Sequence, residues 1–174
     1  MRCFISINLS EEVKKQIQKT QNILPEFEGK KVELKNLHLT LKFLGEVDEE
    51  KIEIVKNKLR RIKLPSFNAE LGEIGVFSEN FVRIIWIRLK GCENLQKEID
   101  FSLEEFFKKE ERFMGHLTIA RVKNVEDKIK FIQELKKISV SKMNFEVKEF
   151  HLMKSELTKK GTIYSSIENY PLKN

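Results

Sequence analysis

Two near-identical tetrapeptides, His38-Leu39-Thr40-Leu41 and His116-Leu117-Thr118-Ile119, lie 78 residues apart (116 − 38) in a chain of 174. In each, a histidine and a threonine two apart alternate with aliphatic residues, the pattern of a strand with one polar and one apolar face. The same offset relates Val47 to Val125 and Phe67 to Phe145, and sets Asp48 and Glu49 against Glu126 and Asp127. Between these anchors Ile52, Val55, Leu59 and Ile62 make one helical stripe, and Ile129, Ile132, Leu135 and Ile138 make another. Upstream, Arg2 to Ile7 reads as a strand leading into a helix with Val13 and Ile17. Arg83 to Ile87 likewise leads into a helix with Leu95, Ile99, Leu103 and Phe106. The chain reads as an internal duplication, with repeats over about 1–80 and 81–174, of a strand, helix, histidine strand, helix, strand unit. Two copies at so long a period make a pseudo-symmetric globule and not a solenoid.

A chain of this length can bury one proper core, and no Pro/Gly/Ser-rich linker divides it. The expectation is a single domain over 1–174 with two lobes, of the α+β class. Two mainly antiparallel sheets should flank a central cleft where the histidine faces meet, with helices on the outer, aliphatic faces. Returns such as Phe145 to Met153 and Gly161 to Ile167 need no crossover helix, which favours antiparallel pairing.

The formal net charge of +6 and pI near 9.2 favour an anionic partner. Lysines and glutamates are interleaved throughout, however, and the basic pairs Lys14-Lys15, Arg60-Arg61, Lys108-Lys109 and Lys136-Lys137 fall on predicted helices, where they read as solvated faces. The first nine residues are too short and interrupted for a signal peptide, and no run approaches membrane-spanning length. A cytoplasmic protein with no membrane partner is expected; nothing in the pattern sets an oligomeric state. Cys3 and Cys92 form neither a disulfide nor a metal pattern and read as reduced, buried thiols.

Two imidazole–hydroxyl pairs suit acid–base chemistry at an anionic centre. Histidine titrates near neutrality without large tuning, and threonine hydroxyls can donate to non-bridging oxygens. The third histidine, His151, has no counterpart motif and reads as structural. The positions 38, 116 and 151 contain no local ligand pair, so no metal or other cofactor is expected.

With their flanks, these segments resemble a known family. Met1-Arg2-Cys3-Phe4-Ile5, His38 to Gly45, Gly75-Val76-Phe77 through Arg83-Ile84-Ile85-Trp86, His116 to Arg121, and the C-terminal Ser155-Glu156-Leu157, Gly161 and Tyr164 together resemble the 2H phosphoesterases with their HxTx motifs. More narrowly they look like the LigT/ThpR branch, RNA 2',3'-cyclic phosphodiesterases first described as 2'-5' RNA ligases. The resemblance implies a bilobal fold around a cleft, and metal-independent attack on a cyclic phosphodiester to leave a 2'-phosphomonoester. It implies His38 as proton donor, His116 as proton acceptor, and Thr40 and Thr118 as phosphate-binding hydroxyls. Its partners are RNA ends bearing a 2',3'-cyclic phosphate, tRNA halves among the candidates. Ligation of RNA halves through the same site, and a non-catalytic RNA- or nucleotide-binding module, are the alternative readings.

Two cations follow the motifs. Arg121 occupies the family's post-motif arginine position, yet strict alternation puts it on the face of Leu117 and Ile119. It reaches a phosphate only from a strand end, a bulge or over the rim. Lys42 has the parity of His38 and Thr40 and is a phosphate-binding candidate. For base stacking, Phe43 and Trp86 sit in apolar strand patterns and read as core, Tyr164 is a candidate, and Phe77 and Phe81 flank the Ser78-Glu79-Asn80 turn, which could bring one of them to the cleft.

Overall fold

The computed structural model describes residues 1–159 and 161–173. In chain order the elements are β1 (Arg2–Asn8), α1 (Glu11–Asn22), β2 (Glu28–Lys31), a 3-10 turn at Leu34–Asn36, β3 (His38–Glu46), α2 (Glu49–Leu59), β4 (Phe67–Val76) and β5 (Ile84–Lys90). There follow α3 (Glu93–Leu103), β6 (His116–Asn124), α4 (Lys128–Lys136), β7 (Asn144–Val147), β8 (Glu149–Thr158) and β9 (Gly161–Pro171).

The helices start where local chemistry allows. Ser10 accepts from the Val13 amide at 3.4 Å, Asp48 from Lys51 at 2.8 Å and Asp127 from Lys130 at 3.0 Å, each satisfying an otherwise orphaned donor of the first turn. Their apolar stripes bury Val13 and Ile17 on α1, Ile52, Val55 and Leu59 on α2, and Leu95, Ile99 and Leu103 on α3. On α4 the stripe is shifted from the expected one. Phe131, Ile132 and Leu135 are buried while Ile129 is 75 % exposed, because the helix begins only at Lys128 and its first turn faces outward. Among the described residues no helix is long and apolar enough to cross a membrane. Cys3 and Cys92 are free and buried, and burial pushes the Cys92 thiol up to about 12.

The strands form one antiparallel sheet in the order β7-β4-β5-β6-β3-β1-β8-β9, with β2 added to β6. It consists of two halves, β7-β4-β5-β6 and β3-β1-β8-β9, joined through a single pair, Leu39 opposite Leu117. The ends curl toward each other. Lys173 bonds back to Ser66 and Leu64, and the Leu172 amide donates to the Lys148 carbonyl. The spatial halves do not follow the sequence repeats: β4 lies beside β5, whereas β8 joins β1. The helices cover the aliphatic face, α1 against β6, α3 against β3, α4 against β4, and α2 beside α3.

β3 and β6 share the same residue-by-residue burial pattern over nine positions, and each carries a bulge at the fourth. On β3 the partners of β1 step from Thr40 to Lys42, skipping Leu41; on β6 the partners of β5 step from Thr118 to Ala120, skipping Ile119. One extra residue reverses the alternation downstream. Lys42 and Ala120 therefore turn into the interior, while Phe43 and Arg121 turn out to the cleft face. The Ile119 carbonyl at the second bulge accepts from the Val32 amide at 2.9 Å and from Gln21 Nε2 at 2.9 Å, so α1 and the chain after β2 fix the distortion.

The interior position of Lys42 corrects its expected phosphate role. Its side chain is 3 % exposed, and the ammonium pairs with Asp100 on α3 and donates to the Lys108 carbonyl at 2.6 Å. Burial alone would raise the Asp100 carboxyl, but hydrogen bonds from Lys42, the Glu110 amide and Gln96 outweigh it and hold its pKa below the usual value. This network ties the strand of His38 to the loop that leads into the strand of His116. Replacing Lys42 by Met strands a buried carboxylate, so unfolding free energy should fall by about 3–5 kcal/mol. The Lys42→Met/Asp100→Leu double variant should recover part of that loss in urea denaturation, since no unpaired charge remains.

Candidate active site

The two histidines open their strands, and the Leu39–Leu117 pair sets the strands side by side. Beyond that pair β3 and β6 diverge, and β6 takes β2 as its partner on the vacated edge. The divergence opens a cleft of about 630 Å³ whose lining includes His38, Thr40, His116, Thr118 and Arg121. The sequence candidates that converge are thus the two histidine–threonine pairs and Arg121. Lys42 and His151 do not line this cleft.

Each imidazole is held in the same way. His38 Nδ1 donates to the Asn36 carbonyl at 2.8 Å, and His116 Nδ1 donates to the Met114 carbonyl at 2.8 Å. A carbonyl can only accept, so Nδ1 carries the proton and Nε2 is the ring atom left to exchange one. Gly115 makes this possible at the second site, since a Cβ there would lie 2.3 Å from the Leu89 carbonyl oxygen where β6 closes on β5. The hydroxyls of Thr40 and Thr118 have no protein partner among the described residues.

The surroundings of the two rings differ. His38 lies between Phe4 and Tyr164, with ring centroids 5.0 Å from each. Its pKa is lowered, first by burial and then by the charges of Arg121 and His116, against the opposing pull of the Asn36 carbonyl. His116 instead packs T-shaped against Phe77, with ring centroids 4.9 Å apart. At that end a side pocket of about 210 Å³ opens beside Thr40 and His116, walled by Phe43, Phe77, Phe113 and Met114 with Arg112 and Glu110.

Several aromatic expectations change. Phe43, read as core, is 70 % exposed at the cleft because the bulge turns it out, and Phe77, 57 % exposed, borders the side pocket at the His116 end and not the cleft itself. Trp86 is buried as expected, opposite Thr118 and beneath Phe77 at 5.8 Å. Phe81 is exposed beside Asn80 and Arg83, away from the cleft. His151 is buried, its Nδ1 donating to Asn169 at 2.9 Å with Glu149 3.5 Å from Nε2. Among the described residues no three His, Cys, Asp or Glu side chains gather as a metal-holding group.

Arg2, Lys30, Lys31 and Ser155 also line the cleft; the sequence placed Arg2 and Ser155 in segments that carry the family resemblance but assigned none of the four to the site. Lys30-Lys31 carried a usable signal, being a basic pair outside any helix just before a histidine strand. Of the basic pairs expected on helices, Lys14-Lys15 lies on α1, whereas Arg60-Arg61 follows the end of α2 and Lys108-Lys109 falls in the loop after α3; Lys14 pairs with Glu11, Arg60 with Glu168, Lys109 with Glu104 and Lys136 with Glu79, as solvated surface does.

Comparison with known proteins agrees with this architecture. The family described as LigT like Phosphoesterase matches residues 7–86 and 90–164. An RNA 2',3'-cyclic phosphodiesterase of Methanocaldococcus jannaschii is 39 % identical over 98 % of this chain and 100 % of the relative. One of Thermotoga maritima is 37 % identical over 94 % of this chain and 91 % of its own. A crystal structure from Thermus thermophilus superposes with a TM-score of 0.83 at 28 % identity, covering 99 % of this chain and 98 % of the other. Escherichia coli LigT complexed with phosphate does so with a TM-score of 0.77 at 25 % identity over 99 % and 98 %. With a family match across most of its length and relatives of this identity spanning nearly all of it, the chain belongs to the LigT-like phosphoesterase family.

Proposed function

We propose that this protein is an RNA 2',3'-cyclic phosphodiesterase that opens the cyclic phosphate to a 2'-phosphomonoester by metal-independent catalysis with two histidines. The observation that carries this reading is the matched pair of imidazoles, each locked by a 2.8 Å Nδ1 bond to a carbonyl, in one cleft with two unpartnered threonine hydroxyls. The names of the M. jannaschii and T. maritima relatives support it, as does the phosphate complex of E. coli LigT.

The chemistry needs proton transfers on opposite sides of phosphorus. His116 Nε2 takes a proton from water as its oxygen bonds to phosphorus, and the bond from phosphorus to the 3'-oxygen breaks as that oxygen takes a proton from His38 Nε2. Thr40 and Thr118 donate to the non-bridging oxygens, and the Arg121 guanidinium adds positive charge where transition-state charge gathers. In the free protein His38 is held toward its neutral form, with Arg121 among the causes. A bound phosphodiester anion places negative charge beside it, raises its pKa and so loads the donor.

Incubation with an oligonucleotide ending in a 2',3'-cyclic phosphate should yield a 2'-phosphate end; a 3'-phosphate or a joined product overturns the assignment. His38→Ala and His116→Ala should each lose roughly 100- to 10,000-fold in rate with the fold retained. The double variant should be far from multiplicatively worse. A 3'-thio substrate, whose leaving group needs little protonation, should rescue His38→Ala alone. Activity should survive exhaustive chelation, and loss on EDTA treatment restored by a divalent metal would refute the metal-independent mechanism. In an NMR titration of the free protein, His38 should show a midpoint below 6.5. Arg121→Gln should move that midpoint upward, because removing the cation removes one cause of the depression. An unchanged midpoint would place Arg121 too far away to serve the same phosphate.

A further inference from the structure

The cleft holds more unpaired positive charge than one phosphate can use. Arg2, Lys30, Lys31 and Arg121 are exposed on its wall, and none is paired with a carboxylate among the described residues. One carboxylate reaches the cleft wall, that of Glu33, and Lys35 occupies it at 2.7 Å. A cyclic phosphate carries one negative charge, which Thr40, Thr118 and Arg121 already serve in the reading above. Three cations remain.

Their position sets a direction. Arg2 is two residues from Phe4 on the same strand, and Phe4 packs on His38. Lys30 lies opposite Arg121, whose charge is felt at His38. The pocket at the His116 end is lined by none of the three. If His38 protonates the 3'-oxygen, the ribose carbon that carries the 5'-linked chain lies on the His38 side of phosphorus. The backbone upstream of the cyclic end then leaves toward Arg2, Lys30 and Lys31.

We infer that this wall, Arg2, Lys30 and Lys31, binds the backbone phosphates of the nucleotides immediately 5' to the cyclic end. This rests on the phosphodiesterase reading and goes further in naming the residues that hold the upstream strand and the direction in which it leaves. Each phosphate neutralised on a single strand adds about 0.7 to the slope of log affinity against log salt.

The test compares a 2',3'-cyclic mononucleotide with a five-nucleotide RNA ending in the same group, across a KCl series. The native protein should favour the oligonucleotide in kcat/KM, with a steeper salt dependence. Lys30→Ala/Lys31→Ala, two exposed changes, should raise KM for the oligonucleotide roughly 10-fold and flatten its salt slope by about 1.4, from two lost contacts. The mononucleotide rate and the melting temperature should stay unchanged. Equal kcat/KM and equal salt dependence for the two substrates, or equal losses on both in the variant, overturn the inference while the phosphodiesterase reading stands. If neither substrate is opened, that reading fails, and binding of a fluorescent five-nucleotide RNA with a 2'-phosphate end still tests the wall. Loss of binding in the double variant supports the wall, and unchanged binding overturns it.

Discussion

The cleft depends on how little β3 and β6 share. They meet through one register pair, Leu39 opposite Leu117, directly after the two histidines. A longer ladder would have closed the sheet across this point and used the edge that β2 now fills. No pairing at all would have left the imidazoles on separate halves. One pair is enough to bring the two strand starts together, and the divergence beyond it leaves room for a ligand between them. The carbonyls of Asn36 and Met114 then fix the tautomer of each ring, so the proton-exchanging nitrogen is defined before any ligand arrives.

Matched backbones carry unmatched side chains, and the differences make the two ends of the cleft chemically distinct. The same bulge turns Phe43 outward on one strand and Arg121 outward on the other, and turns Lys42 inward on one and Ala120 on the other. His38, its pKa lowered first by burial, thereby gains a cationic neighbour that lowers it further, while His116 has the Phe77 ring packed T-shaped against it. The inward Lys42 is also used: its pair with Asp100 reaches the Lys108 and Glu110 backbone, in the loop that leads to Met114 and His116. A buried charge on one histidine's strand therefore anchors the approach to the other. Breaking it should be felt at both.

Much of this was legible in the residues. The repeated His-x-Thr segments with their aliphatic alternation marked the two strands, and three-to-four spacing marked the helices around Ile52 and Leu95. The antiparallel class followed from short returns such as Gly161 to Ile167. These features are local, set by side-chain periodicity and by caps such as Ser10, Asp48 and Asp127, so a linear reading reaches them. Alternation failed at Leu41 and Ile119. A bulge is a property of two paired strands, and the second is secured by Gln21 from a helix 98 residues away in the chain.

By itself, then, the sequence determined which residues are candidates for acid–base chemistry, which strands present them, and that two such strands recur. Only the tertiary structure decided the roles of the cations that follow. Arg121 faces the cleft, Lys42 is buried against Asp100, and Lys30, Lys31 and Arg2 arrive from other strands to complete the wall. The physical reason is that a side chain's direction downstream of a bulge, and the company an edge strand brings, depend on backbone pairing between distant segments. Residue type and spacing carry no direct record of that pairing.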